Sequence, residues 1–371
     1  MSLIGDMRFA PLVPALRRQV ADDGGGGAGL AVVLDGTVVV DLVEGYADAA
    51  HRRRFGADTL TPLFSTGKVM IGVMMARLIG DGRLRLEQHV AEHWPEFAQG
   101  GKQYITVGQL LGHRAGLAAL PDLADPKTWF DPAEIAARLA AMAPLWEPGS
   151  ASGYHAITFG ALAGELYRRI TGNRLGADFR ALVAEPRGLD LWLGLPPGEQ
   201  HRVAETDAAD AVTDFGTITE LRRQVFLSPG SSPGGRSAEE WRAADLPAVN
   251  GHGTARDLAR LMGALAHDGV LDGVAIVSLE AIAAVSAETG AGEDLVLPHR
   301  LSWGAGFIRN AGFGGYGPSP DAFGHSGWGG SCAFADPANR LALAYVPTHH
   351  SGALIADARA RRLVDLAYSC L

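Results

Sequence analysis

The sequence predicts an α+β fold: one antiparallel sheet assembled from both ends of the chain and flanked by terminal helices, with a mostly helical domain inserted. Three observations carry this. β-Rich runs open the chain at 29–48 and return between 301 and 347; apolar residues at three- and four-residue spacing dominate the stretch between them; and the regular strand–helix alternation of a doubly wound fold is missing. The expected division is a sheet domain of 1–64 and 290–371 and a helical domain of 65–289, with the candidate site in the cleft between.

The first run, GLAVVLDGTVVVDLVEGYAD at 29–48, reads as a hairpin turning at Asp35-Gly36, a dipeptide that accepts the positive φ angles of a tight turn. Helical spacing predicts helices over 65–79, 106–112, 131–142, 157–171 and 254–267. Gly80-Asp81-Gly82 is a stop signal for the first of these. LSWGAGFI, DAFGHSGWGG and SCAFADPANRLALAYVP read as strands with glycine breaks and a turn at 337–339, and SGALIADARARRLVDLAYS as a closing helix. SPGSSPGGRS, 228–237, is a Pro/Gly/Ser loop suited to a rim or lid.

At 371 residues, 47% hydrophobic and 20% charged, the chain has enough apolar residues for one large unit or two domains. The net charge of −9 has no compensating basic stripe, HRRR at 51–54 being a short local run, which argues against a nucleic-acid partner. No basic-then-apolar leader and no eighteen-residue apolar run occur, so a soluble, cytoplasmic protein without a membrane partner is expected. Two cysteines, Cys332 and Cys370, suggest reduced thiols rather than a disulfide framework or zinc site.

TPLFSTGKVMIGVMMARLIG, 61–80, sets a lysine at the start of an almost wholly apolar helix. Of 32 lysines and arginines only Lys68, Lys102 and Lys127 are lysine. Burial lowers a lysine's pKa toward the range where it accepts a proton, which arginine does not do. Ser65, three residues earlier, lies on the same helical face, so its hydroxyl can meet the amine. Ser65 as an N-cap and Lys68 as a snorkelling residue are the structural alternative.

Two further segments bear on that choice. WEPGSASGYHAITFGALAGELYRRITG, 146–172, sets Tyr154 in a Gly-rich loop before a helix; FGHSGWGG, 323–330, sets His325-Ser326-Gly327 on a strand. With Ser65-x-x-Lys68 before them, and TVGQLLGHRAGL at 106–117, the order resembles the serine β-lactamase/penicillin-binding-protein superfamily, class C-like and nearest the family VIII carboxylesterases, over about 8–368. The resemblance implies a β-lactamase/transpeptidase-like fold, Ser65 as acylated nucleophile, and Lys68 with Tyr154 as the proton-transfer pair. In that pair the lysine either keeps the phenol partly ionised or receives its proton. It further implies an oxyanion hole from the backbone N–H groups of Ser65 and Trp328, with His325, Ser326 and Gly327 at the substrate, and neither metal nor cofactor. His155, because it adjoins Tyr154, is expected at the substrate, with a ring facing away as the alternative.

Departures from the β-lactamase pattern bear on the substrate. The Tyr-x-Asn position reads Tyr154-His155-Ala156, and the Lys-Thr-Gly triplet reads His325-Ser326-Gly327, exchanging a fixed cation for a group mostly neutral at pH 7. Both resemble the esterase branch and point to a small neutral acyl ester. Weak β-lactam hydrolysis, D-amino-acid peptidase action or acyl transfer through the same acyl-enzyme stay open, as does a non-catalytic binding or scaffold role.

Other residues have plainer readings. Ser232 in GSSPG matches G-x-S-x-G, but Pro229 and Pro233 bracket it in a loop without the strand and helix that motif needs. His113 and His252 read as loop histidines serving backbone groups, Cys332 as a small apolar residue, and Asn250 as a turn or cleft residue. His349-His350 lacks a metal-site pattern.

Overall fold

The hairpin foreseen at Asp35-Gly36 is the nucleus of a nine-stranded sheet. Both turn residues take positive φ (+48° and +73°), matching the twist of the flanking strands β2 (Ala28–Leu34) and β3 (Thr37–Glu44). The computed structural model describes residues 3–208 and 213–371. With β1 (Leu3–Ile4), β4 (Gly290–Glu293), β5 (Arg300–Trp303), β6 (Ile308–Arg309), β7 (Phe323–Ser326), β8 (Cys332–Asp336) and β9 (Leu341–Pro347), the order is β1-β3-β2-β9-β8-β7-β6-β5-β4. Every pairing is antiparallel. The two chain ends meet where β9 pairs with β2, from Leu341 opposite Leu34 to Pro347 opposite Ala28.

Strand β9 shows how sequence sorts the layers. Leu341, Leu343 and Tyr345 point to one face and pack with Leu12 and Leu16 of helix α1 (Leu12–Asp22) and with Leu363 near the C-terminus. Ala342, Ala344 and Val346 point to the other, in one cluster with Leu258 and Met262 of the helix Ala255–Ala266. The small side chains on that face let this helix lie close: a Cβ on Gly263 would stand 2.7 Å from Val33 Cγ1. Thus Ala255–Ala266, though within the stretch expected to be a separate helical domain, packs on the sheet.

The predicted helices form as Val107–Leu111, Pro132–Ala141, Thr158–Thr171 and Ala255–Ala266. Their starts are capped by side chains where the sequence offers them: Thr106 accepts from Gln109 N–H, Asp131 from Glu134, Thr254 from Asp257. Helix α2 (Lys68–Gly80) is buried on nearly all sides, as its composition requires.

Three differences from the sequence reading have local causes. Residues 64–67 form a tight 3₁₀ turn, so α2 starts at Lys68 rather than at 65. The closing helix spans Ala358–Tyr368, because Asp357 caps it by accepting from Arg359 N–H. A small sheet pairs Gly251–Gly253 with Leu191–Leu193, both within the region read as helical, and with Thr61–Pro62 just before it, and carries His252 on a strand instead of a loop. Loop 228–237 joins helices Glu220–Phe226 and Ala238–Ala243, and Trp129 Nε1 donates to Gly230 O at 2.8 Å. Ser232 sits in that loop without a preceding strand. No described helix is long and apolar enough to cross a membrane.

Candidate active site

The turn before α2 presents Ser65, half-buried, ahead of the fully buried Lys68. Phe64 holds φ at +46°, a conformation costing about 1–3 kcal/mol in a residue other than glycine. Its ring stands edge-on to Trp328 and His350, at 5.2 Å from each, which helps hold the turn. Lys68 Nζ lies 2.9 Å from Ser65 Oγ, 2.8 Å from Ala156 O and 2.9 Å from Ala248 O. No carboxylate pairs with it among the described residues, and burial sets its pKa well below the ordinary lysine value.

Counting protons gives this arrangement its meaning. The two carbonyls only accept, so they use two N–H bonds of Lys68. The third vertex, facing Ser65, is an N–H in the ammonium and a lone pair in the neutral amine. Lys102 is the contrast: equally buried, it donates to three carbonyls, Gln99 O at 2.7 Å, Ala140 O at 2.9 Å and Met142 O. Three acceptors require three N–H bonds, so Lys102 closes the end of helix Pro132–Ala141 as an ammonium, although burial lowers its pKa to about 8.

Tyr154 arrives from the loop before helix Thr158–Thr171 and donates its hydroxyl to Ser65 Oγ at 2.6 Å. Burial raises its pKa, so the phenol is neutral. Its backbone is held by Asp294, which the sequence reading missed. One carboxylate oxygen accepts from the N–H groups of Tyr154 (3.0 Å), Val296 (2.9 Å) and Leu297 (2.9 Å), and the other from Trp303 Nε1 (3.1 Å). The Trp303 ring in turn stacks on Tyr154, its plane 8° from parallel. The signal in the sequence is faint: Asp294 precedes Leu-Val-Leu, as in a turn where a carboxylate takes the next N–H groups.

His155, expected at the substrate, is instead a fully buried bracket for backbone. Nδ1–H donates to Gly153 O at 2.6 Å and Nε2 accepts from Leu117 N–H at 3.0 Å, and burial lowers its pKa to about 4. Both ring nitrogens are used, leaving none for a ligand. His113 has the backbone role assigned to it: Nδ1 accepts from His155 N–H at 3.1 Å, and its ring packs on Trp303 and Phe159.

The end of β7 reaches the same turn. Gly327 has room for no side chain, since a Cβ would stand 2.4 Å from Leu63 O and 2.5 Å from Ser331 Oγ. Ser331 Oγ donates to Leu63 O at 3.0 Å and meets Thr66 Oγ1 at 2.9 Å, stapling the segment after β7 to the Ser65 turn. His325 Nδ1–H donates to Ser326 O at 2.7 Å, and burial holds its pKa at about 3, so the ring is neutral beside Tyr154. Ser326 Oγ lies 3.3 Å from Tyr316 OH. The N–H groups of Gly327, Gly329 and Gly330 reach Ser331 O, Ala353 O and Gly327 O, while that of Trp328 meets no acceptor among the described residues.

Asn250 is a bracket: its amide donates to Trp241 O at 3.0 Å and Ala244 O at 2.7 Å, steadying the segment that carries Ala248. His350, read from sequence only as lacking a metal-site pattern, packs edge-on to Phe64 and tilted against Trp328. Cys332 is buried in the apolar cluster under the sheet, its thiol pushed up to about 12. A cavity of about 570 Å³ opens between helices Pro132–Ala141 and Thr158–Thr171, but it is lined by none of Ser65, Lys68 or Tyr154. Among the described residues no cluster of three or more His, Cys, Asp or Glu could hold a metal ion.

Comparison with known proteins agrees with the likeness read from the three motifs. The profile of the Beta-lactamase family matches residues 14–367. A penicillin-binding protein homolog from Caulobacter crescentus superimposes with a TM-score of 0.97 at 50% identity over 99% of each chain. A family VIII carboxylesterase does so with a TM-score of 0.91 at 38% identity, again over 99% of each. The esterase/beta-lactamase LipL of Mycobacterium tuberculosis is 35% identical over 373 residues, covering 94% of this chain and 85% of LipL. A fold of the β-lactamase/transpeptidase type, matched across nearly the whole chain by that profile and by these structures, shows that the protein belongs to the Beta-lactamase family.

Proposed function

We propose that the protein is a serine carboxylesterase working through an acyl-enzyme on Ser65. The observation that carries this is the coordination of Lys68: two carbonyls, Ser65 Oγ, and no carboxylate partner among the described residues. Neutral Lys68 spends two N–H bonds on the carbonyls and turns its lone pair to the Ser65 hydroxyl, taking the proton as Oγ attacks the ester carbonyl. Tyr154, its phenol kept neutral by burial, is the donor beside Oγ. It gives its proton to the departing alkoxide and recovers one from Lys68. Water then repeats the sequence in reverse, ending with carboxylic acid and free Ser65. The Trp328 N–H, without an acceptor among the described residues, receives the developing oxyanion together with that of Ser65.

Neutral esters suit the site better than carboxylate-bearing β-lactams. His325 stands uncharged where the β-lactamase pattern has a lysine, and the position of the asparagine holds Ala156, whose carbonyl serves Lys68. The relatives named as esterases support the same reading. The test is fluorophosphonate labelling with peptide mapping, beside hydrolysis of nitrophenyl esters and a chromogenic cephalosporin by wild type and Ser65→Ala. Label on Ser65 alone, and ester turnover abolished by Ser65→Ala, are expected. Label on Ser232, or an active wild type that takes no label, overturns the mechanism; faster cephalosporin than ester turnover overturns the substrate class.

A further inference from the structure

Behind the segment that follows β7 lies a buried cation whose contacts lead to the Trp328 N–H. Arg359, 8% exposed, sits in the first turn of the closing helix Ala358–Tyr368. Its Nη2 donates to Gly329 O at 2.7 Å and to Asp357 Oδ2 at 2.9 Å; its Nη1 donates to His349 O at 2.9 Å and Asp23 Oδ2 at 2.8 Å. Asp357 also accepts from Ser351 Oγ at 2.5 Å. Gly330 is wedged against this group, since a Cβ there would stand 2.5 Å from Asp357 Oδ2 and 2.6 Å from Arg359 Nη2.

Peptide planarity turns these contacts into a relay. The carbonyl of Gly329 and the N–H of Gly330 belong to one rigid plane, so gripping the carbonyl aims the N–H. That N–H donates to Gly327 O at 3.1 Å. Gly327 O belongs in turn to the plane that carries the Trp328 N–H, on its opposite side. Two planes therefore connect the guanidinium to the Trp328 N–H, which has no protein acceptor among the described residues. We propose that Arg359 is a positioning residue for acylation, setting the direction of the Trp328 N–H through the Gly329–Gly330 and Gly327–Trp328 peptides. This rests on the acyl-enzyme reading above. A buried ion cluster by itself contributes little net stability. The planar fork of arginine is what a lysine ammonium at this position lacks.

The test is the ratio of kcat/KM for an ester and for its thionoester, in which sulfur, a weak hydrogen-bond acceptor, replaces the carbonyl oxygen. Wild type should favour the oxygen substrate strongly. Arg359→Lys and Arg359→Met should lose roughly 10- to 100-fold in kcat with KM within about twofold, and the oxygen preference should shrink severalfold. Both substrates are measured on one preparation, so an unfolded fraction cancels from the ratio. Asp23→Asn, which removes an ion-pair partner and leaves the Gly329 contact, should lower the melting temperature and keep the wild-type ratio. A wild-type ratio in both Arg359 variants, or a ratio equally reduced in Asp23→Asn, overturns the positioning role alone. A wild type without oxygen preference overturns the oxyanion reading on which it rests.

Discussion

Replacing Lys68 by arginine separates a lysine that gives up its proton from one that only carries charge. The amine nitrogen fits a cage of three atoms at 2.8 to 2.9 Å, two of them backbone carbonyls that demand N–H bonds. A guanidinium can satisfy the carbonyls but has no lone pair to offer Ser65. Losing a general base costs roughly 100- to 10,000-fold, or about 2.7–5.5 kcal/mol in the acylation barrier. Stability should fall as well, because Lys68 escapes part of its desolvation cost by shedding a proton and arginine keeps its charge where no carboxylate waits. The assay is the pre-steady-state release of nitrophenol from a short-chain ester, run beside circular dichroism and thermal melting. A folded Lys68→Arg enzyme acylating within about threefold of wild type, a difference under 1 kcal/mol, would refute the proton-transfer role. Tyr154→Phe guards against simple displacement: it should show a comparable loss in turnover while Ser65 still takes fluorophosphonate slowly.

The pH profile follows from the same groups. Lys68 works as the free amine, so kcat/KM should decline as pH falls through its lowered pKa and stay level above it. His325, with a pKa of about 3, carries no charge at neutral pH, so His325→Gln should leave the midpoint in place; a midpoint moved by a full unit would reassign the base. His325→Lys should instead drive the limb to lower pH, since a second cation near Lys68 disfavours its protonation. Asp294→Asn leaves an amide where a carboxylate accepts four hydrogen bonds, and should cost about 1.5–3 kcal/mol by denaturant unfolding, with kcat falling more than KM changes. Gly327→Ala should keep the fold and lose on the order of 100-fold in kcat, because its Cβ pushes the segment after β7 from Leu63 O; full activity would deny that the segment and the turn act together.

How far the sequence could be read depended on whether side chains or backbone did the signalling. Ser65 and Lys68 were legible because they sit three residues apart on one run, and Asp35-Gly36 because a tight turn needs residues that accept positive φ. Ala156 O and Ala248 O, which fix Lys68, have no side-chain signature at all. Asp294 acts on Tyr154 from 140 positions away, a distance only the fold closes. His155 was placed at the substrate because it adjoins Tyr154, but its ring turns into the backbone of Gly153 and Leu117. The small sheet through Gly251–Gly253 escaped notice because its strands are too short to show alternation.

The uneven fate of the three lysines has a practical side. Lys68 and Lys102 are sealed in the interior, and Lys127 lies exposed on the short turn Pro126–Phe130. Of the three lysines of the native protein, an amine-reactive dye should therefore couple to Lys127 alone, and lysine-specific proteolysis of the native chain should begin after Lys127. The Lys127 stem runs beside Gly235, so a fluorophore there would watch the 228–237 loop while Ser65 goes on reacting unlabelled.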